Sequence, residues 1–103
     1  MALHIDVPRD EIAAFCRRWN VTELAFFGSV LRDDFRPDSD VDVLVTFAPG
    51  QTPSLFGLVA MRDELGCLLG RRVDLSTRNA IENSHNWLRR KEILSTAEAY
   101  YAA

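Results

Sequence analysis

Residues 40–47 read Asp-Val-Asp-Val-Leu-Val-Thr-Phe, two acids two positions apart in a β-branched, apolar run. The run predicts a strand. Side chains alternate across a strand, so Asp40 and Asp42 share one face while Val41, Val43 and Val45 take the other. Aspartate is depleted in strands, and like charges on one face repel. A fold tolerates that arrangement when a cation neutralises it. Asp74 lies in a second short run, with Val73 and Leu75 pointing away from it. If the two runs are neighbouring strands, Asp74 joins the pair. Three hard oxygen ligands with room for water suit Mg²⁺ better than Zn²⁺.

The remaining segments build a frame for that strand. Pro8, then Asp10 and Glu11, mark a helix start. Ile12, Phe15, Cys16 and Trp19 follow at helical spacing, which predicts a helix over 8–19. Leu24-Ala25-Phe26-Phe27 predicts a buried strand ending at Gly28-Ser29, with a short helix at Val30–Arg32. Pro49-Gly50 is a turn. Thr52-Pro53 predicts the start of an apolar helix carrying Leu55, Leu58, Val59, Leu65, Leu68 and Leu69, with Gly70 as its stop. Residues 71–76 predict a third strand. The tail, 79–100, carries Trp87, Leu88, Leu94, Ala97 and Tyr101 at mostly helical offsets. The order is α–β–α–β–α–β–α. That predicts an α/β (α+β) fold, one small mixed sheet of about three strands with helices packed on it.

Length and charge bound the function. The chain has 103 residues, which reads as one domain over 1–103. It leaves no room for a second, substrate-gripping domain. Twelve Lys+Arg against fifteen Asp+Glu give a net charge of −3, the wrong sign for a free-standing nucleic-acid binder. Cys16 and Cys67 sit in apolar-periodic segments without CxxC spacing and read as buried, reduced thiols. No signal-peptide pattern or membrane-length apolar run is visible, so the setting reads as cytoplasmic, with no membrane partner. His85 reads as a solvated or capping residue and His4 as part of a frayed terminus. Arg71-Arg72 and Arg89-Arg90-Lys91 read as solvated faces. Trp19, Trp87 and Tyr100-Tyr101 read as core or interface packing, the tyrosine pair leaning to an interface.

Gly28-Ser29 supplies a second element. A glycine at a strand end lets the backbone turn sharply and a ligand approach closely. A helix turn beginning at Ser29 aims free N–H groups outward at an anion. A phosphate cradle and, some ten residues on, a metal clamp are the equipment of phosphoryl or nucleotidyl transfer.

The stretch from Phe27-Gly28-Ser29-Val30-Leu31-Arg32 to Ser39-Asp40-Val41-Asp42 resembles the GS-x10-DxD signature of DNA polymerase β-type nucleotidyltransferases. It closely resembles one branch, the minimal nucleotidyltransferases, including the antitoxins of HEPN/MNT toxin–antitoxin pairs. Gly70-Arg71-Arg72-Val73-Asp74-Leu75 resembles that family's third-carboxylate strand, and Arg90-Lys91-Glu92-Ile93-Leu94 with Tyr100-Tyr101 its closing helix. The likeness runs from about residue 8 to the end. One departure stands out: many members carry Gly after the motif arginine, where this chain has Asp33. With Asp34 it adds negative charge near the phosphate site.

The resemblance implies a nucleotidyltransferase-like fold and two Mg²⁺ ions, with Asp40, Asp42 and Asp74 as metal-holding and catalytic residues. Asp74 is also implied as proton acceptor. Gly28, Ser29 and Arg32 are implied as nucleotide-binding. The reaction implied is transfer of AMP from ATP to a tyrosine of a cognate HEPN ribonuclease toxin, in a hetero-oligomer with that toxin, without direct contact to nucleic acid. Two other readings remain open at this stage. One is an antitoxin that silences its toxin by binding alone. The other is a small-molecule, aminoglycoside-type nucleotidyltransferase, which the short chain disfavours.

Overall fold

The structure, a computed structural model, describes residues 3, 5–33 and 35–103. Asp34 and His4, named above, lie outside the described residues, with Met1 and Ala2. Helix α1, Arg9–Arg18, carries Asp10 and Glu11 in its first turn and Arg17 and Arg18 in its last, each sign at its favoured end of the helix dipole. Pro8 caps it from outside and Trp19 closes it. Strand β1 is Val21–Phe27, followed by a single 3-10 turn over Gly28–Leu31. Strand β2 is Val41–Phe47, so Asp40 immediately precedes it. Helix α2, Leu55–Leu69, starts later than expected. Its cap is Ser54, whose hydroxyl accepts from Gly57 N–H at 3.3 Å, instead of Thr52. Gly70 ends it at φ 66°, as the sequence predicts.

The tail differs most from expectation. It contains β3, Val73–Thr77, then α3, Arg78–Glu82, α4, Trp87–Thr96, and a fourth strand β4, Glu98–Ala102. Tyr100-Tyr101 therefore belong to a strand, not to a closing helix. The sheet has four strands in the order β3-β2-β1-β4. β1 is antiparallel to both β2 and β4, and β3 runs parallel to β2 through the α2 crossover. A register shift between Leu24 and Ala25 opposite β4 skips Tyr100 in the pairing. That shift lets neighbouring Tyr100 and Tyr101 both pack on the same core, Tyr100 edge-on to Phe26 at 5.6 Å between centroids.

Each sheet face has its own core. Leu24, Phe26, Val41, Val43 and Val45 meet Ile12, Phe15 and Cys16 of α1 and Met61, Leu65 and Leu69 of α2. On the other face Ala25, Phe27 and Leu44 meet Ile93 of α4, with Ile81 and Leu94 beside them. The valines of residues 40–47 are fully buried, as their alternation predicts. Cys16 is buried, but Cys67 is exposed, because it lies on the outward side of α2. Trp19 packs against the first core, whereas Trp87 is 58% exposed.

Candidate active site

Asp42 sits where three strands and one turn meet. In the register it stands opposite Phe27 of β1 on one side and opposite Asp74 of β3 on the other. Period-two alternation puts Asp42 and Asp74 on the second face, with Leu44 and Ser76. Gly28 follows Phe27 directly and has φ 74°, a conformation other residues seldom adopt. A Cβ placed on Gly28 would overlap Asp42 Oδ2. Glycine is required there twice over, by its backbone and by the carboxylate against it.

A cleft of about 550 Å³ opens at this point. Gly28, Ser29, Arg32 and Asp42 form one wall. The opposite wall is α4, through Arg89, Glu92, Ile93 and Thr96. Of the residues expected at the site, Gly28, Ser29, Arg32 and Asp42 line the cleft, whereas Asp40 and Asp74 do not. Arg89 is exposed, as read from the sequence, but the sequence reading did not place it on the wall of a cleft. The available signal was spacing: positions 89, 92, 93 and 96 recur at helical intervals on one face.

Burial holds the Asp42 carboxyl above the usual carboxylate range, and the negative charges of Asp74 and Asp40 push it further the same way. Arg89 and then Arg32 pull it down again. Ionised Asp42 is therefore short of positive charge nearby. Asp40 and Asp74 are exposed. Asp40 Oδ1 lies 3.1 Å from Arg72 Nε, so Arg72 is an ion-pair partner of a site acid. Arg71 is likewise engaged. Its Nη1 donates to the carbonyls of Arg36 and Pro37 at 3.2 and 3.1 Å, and its guanidinium stacks 4.6 Å over Phe35. That clamp fixes the loop that delivers Asp40. Among the described residues no three His, Cys, Asp or Glu side chains converge as a metal site.

The chain belongs to the nucleotidyltransferase domain family, whose sequence pattern matches residues 10–100. It is similar to the protein adenylyltransferase MntA of Thermococcus cleftensis, 39% identical over 66 residues, which is 64% of this chain and 65% of that one. The chain thus spans just under two thirds of that relative's length. A solved structure described as a candidate minimal nucleotidyltransferase superposes with a TM-score of 0.67 at 32% identity, covering 87% of this chain and 86% of that one. A chain in a complex of a tri-AMPylated Shewanella oneidensis HEPN toxin with its MNT antitoxin shares the fold, with a TM-score of 0.62 at 18% identity over 91% of this chain and 69% of that one. No helix among the described residues is long and apolar enough to cross a membrane.

Proposed function

We propose that residues 1–103 form a single minimal nucleotidyltransferase domain that transfers AMP from ATP to a tyrosine of a cognate HEPN ribonuclease toxin and silences it. The protein would act in the cytoplasm as a hetero-oligomer with that toxin. One observation carries the reading. The Gly28-Ser29 turn is packed against Asp42 at the mouth of the cleft, with Asp74 in register beside it. The names of the similar proteins support the choice of AMP and of a protein acceptor.

The donor set fits magnesium. Asp40, Asp42 and Asp74 offer hard oxygens, and Asp42 is held above its ordinary value by burial and then by the negative charges of Asp74 and Asp40. Asp40 joins them by releasing Arg72. Such an exposed pair is worth about 1 kcal/mol or less, so the release is cheap. When bound there, magnesium would supply Lewis acidity at the α-phosphate and ease loss of the attacking hydroxyl's proton.

The chain's own groups do the rest. The Gly28-Ser29 turn presents backbone N–H groups and a hydroxyl to the phosphates, and Arg32 adds positive charge. Exposed Asp74 takes the tyrosine proton as the phenolic oxygen bonds to the α-phosphorus. The bond to the bridging oxygen breaks and pyrophosphate leaves. A bulky adenylyl group on the toxin, with one phosphodiester negative charge, then blocks RNA phosphate by charge and volume.

Co-expression with the toxin encoded alongside tests this. The wild type is expected to raise the toxin's intact mass by whole AMP units. Asp42→Asn is expected to leave it unmodified. A toxin of unchanged mass in an inhibited wild-type complex would refute the transfer.

A further inference from the structure

We propose that Arg89 of α4 grips the phosphate chain of the nucleotide from the wall opposite Gly28-Ser29. This rests on the nucleotidyl-transfer reading and assigns a residue that the signature motifs do not contain.

Three observations converge. Arg89 lines the same cleft as Gly28, Ser29, Arg32 and Asp42, but from the other side. Its guanidinium makes no hydrogen bond or ion pair among the described residues, unlike most arginines of the chain. Arg18 pairs with Glu64, Arg62 with Asp63, Arg72 with Asp40 and Arg78 with Glu23. Its own neighbour Arg90 donates to the carbonyls of Glu82 and Ser84 at 3.4 and 3.3 Å. A guanidinium left over in a cleft has five donors to offer a ligand.

The third observation is its place on the helix. The Asn86 side chain caps α4 by accepting from Arg89 N–H at 3.2 Å, which puts Arg89 in the first turn. A cation there opposes the helix dipole, and α4 has no acid in that turn to offset it. Helix α1 shows the favourable arrangement, acids first and arginines last. An arginine kept at the disfavoured end, unpaired and facing a phosphate cradle, fits an anion that arrives with the substrate. Its planar fork matches phosphate oxygens in pairs. With Arg32 it would bracket the triphosphate across the cleft.

Calorimetric titration of ATP and of AMP into the whole protein, with magnesium present and no acceptor, tests this. Arg89→Ala is expected to weaken ATP about 10- to 100-fold, the range for hydrogen bonds to charged groups, and AMP by less than about 3-fold. Arg89→Lys, which keeps the charge and loses the fork, should fall between. Lys91→Ala, on the same helix and outside the cleft, should bind both as the wild type does. ATP binding by Arg89→Ala within twofold of wild type overturns the assignment alone. So does an equal loss for ATP and AMP. A wild type that binds neither nucleotide overturns the nucleotidyl-transfer reading, and this assignment with it.

Discussion

Asp42 is the residue on which most consequences turn. Its folded-state pKa is raised, so between the unfolded and folded values the native state holds more protons than the unfolded chain. Stability therefore falls as pH rises through that window, and above it ionised Asp42 is a standing cost. Asp42→Asn should melt at a higher temperature than wild type at pH 7, with the gap closing as pH falls through that window. The same variant should lose at least about 10³-fold in transfer rate, more than the loss of one oxyanion donor. Magnesium should raise the wild-type melting temperature and leave Asp42→Asn nearly unmoved. The thiols separate as cleanly. Burial pushes Cys16 up to about 11, so it is protonated at neutral pH, while Cys67 is exposed. One iodoacetamide equivalent should enter the native protein quickly, at Cys67, and the second only on unfolding. Cys67 misleads in the sequence because α2 is apolar on both sides, so periodicity cannot tell its inner from its outer face.

Among the elements, β2 was legible in full and β4 not at all. Alternating valines and aspartates leave only one way for β2 to sit, whereas β4 has five residues, a register shift and an adjoining tyrosine pair that imitates helical offsets. The wall of the cleft was hidden for a related reason. Arg89-Arg90-Lys91 is a charge run in sequence, and only the tertiary packing of Ile93 shows that Arg89, though exposed, borders the cleft. The capped helix start that fixes this wall can be tested separately. Asn86→Ala should cost about 1 kcal/mol, about 4 °C in melting temperature, and weaken ATP through a loosened α4. Loss of stability without loss of ATP affinity would show that the wall does not depend on its cap.

At the scale of the whole molecule, the site draws on segments near 28, 42, 74 and 89, so nothing short of the closed sheet contains it. Leu55 and Phe56 at the start of α2 are 74% and 88% exposed, and they contribute nothing to that closure. Phe56→Ser should therefore leave the melting temperature within about 1 °C, as for a surface substitution. The strand order carries a further consequence. β1 and β2, the two inner strands, come from the first half of the chain, and the two outer strands β3 and β4 come from the second. The second half clasps the first from both sides. A chain opened at the exposed Pro49-Gly50 turn would leave two fragments that share every strand boundary except the β1–β2 hairpin. Mixed, they should regain nucleotide binding with bimolecular kinetics, so the sheet would act as a latch whose closing reports that its halves have met.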